Sequence, residues 1–275
     1  MLWTSLLLMM MGSIAPVSAA DSVRIPNFWD LRRKIDKPDL GALRQIRFLT
    51  EDDYPPFHFI GPDGQLTGFE VELARAVCEQ LKVTCSIQPI RWDGLGDALL
   101  RGQGDAVIAA MKISAENRRK FMFTASYFRS PARFVARKNP DRPDLTSDAL
   151  KGQKISVVIG SAHEAYLKRF FGNVVAVPVS TATDALDAVR TGSVTAAFVD
   201  GTTGAFWING EASAECCSFW GGPYTEQRYF GEGAGIALRP DSPVLRQALD
   251  WALARIAADG HYAALYLKYF PVSIY

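Results

Sequence analysis

Two halves of this sequence carry the same succession of elements, and that repetition leaves few architectures open to the chain. In the first half, the apolar run Ile46 to Thr50 reads as a buried strand that ends in a polar, aromatic elbow, Glu51-Asp52-Asp53-Tyr54. Pro62-Asp63-Gly64 marks a turn between two short extended pieces. Thr67-Gly68-Phe69-Glu70 has the spacing of a capping box, and Phe69, Leu73, Val77 and Leu81 then recur every four residues, as one helix face does. A strand over 84–90, a helix from Trp92 to Leu100 ended by Gly102 and Gly104, and a strand over 105–110 complete the half. After the Ser130-Pro131 break and a strand over 134–137, the pattern restarts. It runs through a strand over 154–159, the elbow Gly160-Ser161-Ala162-His163-Glu164, again with capping-box spacing, a strand over 174–178, a helix over 182–189 and a strand over 195–200.

Strands alternating with helices predict a parallel sheet covered on both faces. The stretches ALLRGQGDAVIAA (98–110) and AVRTGSVTAAFVD (188–200) match in kind, which makes Ala110 and Asp200 equivalent strand ends. Ligands of open α/β sheets bind outside the carboxyl ends of strands. Four loops leaving such ends therefore predict a small-molecule cleft between two lobes. Gly231, Gly233 and Gly235 read as a flexible crossover leading to a strand at 236–239. Ser242-Pro243 starts a helix in the N-cap and N1 arrangement, Gly260 ends it, and 262–270 is a last short helix.

The wording D-Y-P-P-F followed by D-G-Q-L-T-G-F-E-V-E-L-A (53–57, 63–74) resembles the opening of the periplasmic amino-acid-binding proteins of ABC importers, the bacterial extracellular solute-binding proteins of family 3. The resemblance runs from about Arg47 to Phe270. It implies an α/β, two-lobe fold of the type II periplasmic-binding-protein kind, each lobe a mainly parallel sheet flanked by helices. The division expected is 1–20 signal peptide, 21–45 N-terminal arm, 46–131 and 234–275 one lobe, and 132–233 the other. It also implies a bridge between Cys78 and Cys85. Cys216 and Cys217 are neighbours, whose bridging is strained, and their state is left open.

A zwitterionic amino acid needs a cation for its carboxylate and an anion for its ammonium. The resemblance puts an Arg after the third strand. Here the words are Ile113-Ser114-Ala115-Glu116-Asn117-Arg118-Arg119, so gap-free counting lands on Asn117 and one extra residue in the turn brings Arg118 there. Arg118 is taken for the carboxylate, with backbone N–H groups at the Ser161 elbow beside it. Asp200 matches the family's acceptor for the ammonium. Glu51 stands near the ligand, Tyr54 and Trp92 line the pocket, and Ala110, Ala162 and His163 complete the loops. Lys112 replaces a small hydroxyl residue and favours an anionic group.

Residues 1–20 have signal-peptide anatomy, an apolar block at 6–11 followed by Ser18-Ala19-Ala20, although no Lys or Arg precedes the block. Residues 21–45 read as an arm without its own core, pinned by Phe28-Trp29. A net charge of +1 gives no reason to expect nucleic acid. No phosphate loop, HExxH or metal-ligand cluster is present, so neither cofactor nor metal is expected. The function expected is capture of a small amino acid or similar solute in the periplasm by an exported, soluble monomer, and delivery to a membrane permease, without catalysis. The alternatives are a periplasmic dehydratase of the cyclohexadienyl type on the same fold, with Lys112, His163 and Glu51 as acid–base groups, or a sensor module.

Overall fold

The computed structural model describes residues 43–270 and 273–275, together with Val23, residues 25–30, Asp36, Pro38, Asp39 and Gly41. The expected signal segment lies outside the described residues.

The chain opens with β1 (Gln45–Thr50), a small hairpin sheet of β2 (Asp53–Tyr54), β3 (His58–Ile60) and β4 (Leu66–Thr67), and the helix α1 (Phe69–Leu81). β5 (Thr84–Pro89), α2 (Trp92–Leu100), β6 (Ala106–Val107) and β7 (Met122–Phe123) follow. The second repeat comprises β8 (Ala132–Arg137), β9 (Lys154–Val158), α3 (Ala162–Phe170), β10 (Val175–Val179), α4 (Ala182–Arg190), β11 (Ala196–Asp200), α5 (Gly201–Asn209) and β12 (Cys217–Phe219). The short helix α6 (Gln227–Phe230), β13 (Ala237–Leu238), α7 (Pro243–Ala258) and α8 (His261–Tyr269) complete it.

These strands form two five-stranded sheets, ordered β5-β1-β6-β13-β7 and β10-β9-β11-β8-β12. Each has a parallel core of three strands and two antiparallel strands added beside it. The chain therefore passes between the sheets twice, once after β7 and once before β13.

Period-two alternation explains why both faces of each sheet are covered. Ile46 and Phe48 of β1 pack with α1, α7 and α8, while Leu49 faces the opposite way into α2. In the second sheet, Phe134 and Phe198 pack on α3, and Val135 and Val199 on α4. Phe69, Leu73, Val77 and Leu81 of α1 are all buried, as their spacing requires. Trp29 of the arm is buried with its ring 4.9 Å from that of Tyr262.

Cys78 and Cys85 are bonded, fastening the end of α1 to β5. Cys216 and Cys217 are bonded to one another.

The glycines at 231–235 lie on the expected crossover, where Gly233 and Gly235 serve close approach. Gly233 has φ +98°, and a Cβ there would lie 2.4 Å from the Phe128 carbonyl oxygen. At Gly235 a Cβ would meet Ile113 at 2.8 Å. Small residues here let the returning segment pair with both 111–113 and 127–128: Ile113 N–H donates to the Gly233 carbonyl at 2.9 Å, and Tyr127 N–H to that of Ala234 at 2.9 Å. Ser242, expected to cap α7, makes no such bond; its hydroxyl turns to Asp241.

Candidate functional site

Loops from both sheets and both crossings open on one cleft of about 300 Å³. The first lobe contributes Tyr54, Phe57, Ala110 and Lys112, and the second Ala162, His163, Asp200, Thr202 and Thr203. The crossings add Phe128, Arg129, Ser130, Gly233 and Ala234, and the segment before the return adds Tyr229 and Phe230.

The first-lobe side rests on a buried carboxylate. Glu70 has the spacing of a capping residue, yet α1 is preceded by Gly68 and has no side-chain cap. At Gly68 (φ +126°) an added Cβ would sit 2.3 Å from the Phe57 carbonyl oxygen, so the turn admits no side chain and Glu70 swings inward. There it is fully buried. Its oxygens accept from His58 Nδ1 at 2.7 Å, from Ala110 N–H at 2.8 Å and from the Tyr127 hydroxyl. Burial, and then the Glu70 charge, push the Tyr127 hydroxyl pKa well up, so it stays a donor. Ala110 has φ +49°, a conformation that costs a non-glycine residue energy, and its bond to Glu70 holds it there. The carboxylate thus fixes the loop that ends in Lys112.

On the second lobe, Ser161 caps α3. Its hydroxyl accepts from Glu164 N–H at 3.1 Å and donates to the Val158 carbonyl at 2.6 Å. The Gly160 N–H goes to the Glu164 carboxylate and the Ser161 N–H to Val158. The elbow amides left without an acceptor among the described residues are therefore those of Ala162 and His163, one step beyond the position expected. Asp200 caps α5 with one oxygen: Oδ1 accepts from Thr203 N–H at 3.0 Å and its hydroxyl at 3.3 Å. Oδ2 has no partner among the described residues. Burial lowers the His163 pKa below the ordinary histidine value; the Asp200 charge opposes that shift and Lys112 adds to it. Across the cleft, burial raises the Tyr54 hydroxyl pKa, with the charges of Asp200 and Glu70 acting the same way.

Of the ten residues expected at the ligand, Tyr54, Ala110, Lys112, Ala162, His163 and Asp200 line this cleft. Glu51, Trp92, Arg118 and Ser161 do not. Glu51 is occupied as a cap, accepting the Trp92 N–H at 2.8 Å. The Trp92 side chain is half-exposed, away from the lining. Arg118 pairs with Glu232 at 2.6 Å. Asn117, the other candidate, donates its amide to the Lys112 carbonyl at 2.8 Å. Lys112 Nζ has no hydrogen-bond or ion-pair partner among the described residues, and Arg129 donates twice to the Glu232 carbonyl, at 3.1 and 3.3 Å.

Sequence reasoning missed the crossing residues Phe128, Arg129, Ser130 and Ala234. Segments that pass between two lobes must also pass the cleft, so their position was a usable signal. Tyr229 and Phe230 carried none; Phe230 is placed by its contact with the His163 ring, 5.2 Å away. Among the described residues no cluster of His, Cys, Asp and Glu could hold a metal, and no helix is long and apolar enough to cross a membrane.

Two sheets joined by two crossings around a shared cleft define a type II periplasmic-binding-protein fold. The L-cystine solute receptor of Neisseria gonorrhoeae in its unliganded open conformation has this fold, with a TM-score of 0.73, 24% identity, and 85% of this chain and 95% of that chain covered. The chain belongs to the bacterial extracellular solute-binding proteins, family 3, which match it over residues 46–272. It is similar to the L-arginine-binding protein of Pseudomonas aeruginosa, at 32% identity over 240 residues, covering 86% of this chain and 92% of the relative. It is also similar to the ABC transporter arginine-binding protein 1 of Escherichia coli, at 31% identity, covering 84% of this chain and 93% of the relative.

Proposed function

We propose that this chain is the periplasmic receptor of an ABC importer, binding an amino acid or similar small solute between its lobes and presenting it to a membrane permease. The observation that carries the reading is a pair of uncommitted charges. The Lys112 ammonium on one lobe and the Asp200 Oδ2 on the other border the same cleft, so a ligand with both charge signs bridges the lobes. The free amides of Ala162 and His163 at the start of α3 suit a carboxylate. Closure would turn about the crossings, 124–131 and 231–236.

In this reading residues 1–20 direct export and are removed. Residues 46–131 and 234–275 act as one lobe and 132–233 as the other, and the mature protein works as a monomer, without nucleic acid and without chemistry on its ligand. Family membership and relatives named as binding proteins support it.

The test is to recover the protein from the periplasm, identify any co-purified solute by mass spectrometry, and titrate the stripped protein with amino acids by calorimetry. One-to-one binding at micromolar concentrations or tighter is expected, on the order of 8 kcal/mol or more. Retention in the cytoplasm, or silence toward every amino acid, would overturn the reading.

A further inference from the structure

The charges lining the cleft do not balance, and the imbalance bears on the ligand. Lys112 and Arg129 are cations; among the described residues Asp200 is the one carboxylate in the lining. Arg129 is bonded to the Glu232 carbonyl, a neutral acceptor that leaves its charge uncompensated. The Glu232 carboxylate is itself taken by Arg118. Glu51 is turned to the start of α2, and Glu70 lies buried beneath the loop.

An amino acid uses Asp200 for its ammonium. A cationic side chain, such as the ligand of the arginine-binding relatives carries, would then enter a cleft that already holds two cations and offers no second carboxylate. A side-chain carboxylate would instead find a cation. Like-charge contacts in a partly desolvated site are strongly unfavourable, so selection against the wrong charge is as effective as attraction of the right one. The cleft volume of about 300 Å³ suits a small solute.

We propose that the cleft takes a net-anionic amino acid, its ammonium at Asp200 and its two carboxylates shared between Lys112, Arg129 and the free amides of α3. This rests on the amino-acid reading above and makes Lys112 the residue that sets specificity.

Calorimetric titration of the ligand-stripped protein with L-glutamate, L-aspartate, L-glutamine and L-arginine tests it. An acidic amino acid should bind at least about tenfold more tightly than glutamine or arginine. Lys112→Gln should weaken binding of the acid by about tenfold more than it weakens binding of glutamine, collapsing the ratio. Lys112 is an exposed side chain, and unchanged circular dichroism would show that the variant is folded. Arg129→Gln should reduce the same ratio. If arginine or a neutral amino acid binds more tightly than both acids, or if Lys112→Gln leaves the ratio unchanged, the inference falls while the amino-acid reading stands. If the protein binds none of the four or any other amino acid, both fall together.

Discussion

The two lobes share a sheet order and a strand–elbow–helix start, yet they brace their binding loops in opposite ways. Thr67-Gly68-Phe69-Glu70 and Ser161-Ala162-His163-Glu164 have the same capping spacing. In the second lobe the spacing does what it promises: Ser161 caps α3 and Glu164 stays near the surface, paired with Lys168 at 2.7 Å. In the first, Glu70 is buried and holds His58, Ala110 and Tyr127. A local motif therefore fixes local structure only where no distant group competes for its side chain. The cleft has one face set by long-range polar contacts and one set by a helix start.

The sharpest way to break this comparison is to remove the two glutamates in turn. Glu70→Ala would leave a buried imidazole, amide and phenol without their acceptor, which should cost about 3–5 kcal/mol. Glu164→Ala loses an ion pair at the surface and the bond to the Gly160 N–H, and should cost far less than Glu70→Ala. Chemical denaturation measures both. Equal losses would mean that Glu70 is no more than a helix-start residue.

The glycines before the two helices give the next largest contrast. Gly68→Ala drives a Cβ into the Phe57 backbone, and we expect about 2–3 kcal/mol of destabilisation. Gly160 has φ +70° but open space around it, so Gly160→Ala should cost only about 1 kcal/mol. A Gly68→Ala protein as stable as the parent would show that the turn relaxes, and would remove the reason given for Glu70 turning inward.

Much of this was legible in the sequence, and the limits are physical. Strands and helices showed because their faces are apolar at the right period, as with Ile46 and Phe48 against Leu49. The cleft followed from equivalence of strand ends such as Ala110 and Asp200. Partner choice did not follow. Arg118 was expected at the ligand and Arg129 was not, and only the fold brings Glu232, far along the chain, to pair one by its carboxylate and the other by its carbonyl. The Glu70 contacts lie 12, 40 and 57 residues away, beyond any spacing rule. The strand β7 is only two residues long, too short to carry a period, whereas β13 lies within the strand expected at 236–239.

Two serines sharpen the comparison at smaller scale. Ser161→Ala removes a hydrogen-bonding cap and should cost about 1 kcal/mol. Ser242→Ala removes a serine that only its position marks as a cap, and should change stability by less than about 0.5 kcal/mol. A loss at Ser242 as large as that at Ser161 would show that α7 uses the cap in solution.

The smallest effect is a slope with pH, and it belongs to the second lobe. His163 is packed among Phe198, Phe230 and the cleft wall, and burial holds its pKa below the ordinary value of 6.5. Asp200 and Lys112 face it with opposite signs, so neither charge alone sets its state. Because the unfolded chain takes up the proton first, it carries more protons than the folded chain between the two pKa values. Stability therefore falls as pH drops through that window and levels off below the folded pKa. In His163→Gln the corresponding part of the slope should vanish, leaving a shallower decline of Tm between about pH 7 and pH 5 than in the parent. The neutral imidazole also keeps the cleft at two cations and one carboxylate near neutral pH, the balance on which its selection among charged ligands depends. Parallel Tm profiles for parent and variant would mean that His163 titrates alike in both states, and its protonated ring would then add a third cation to the cleft.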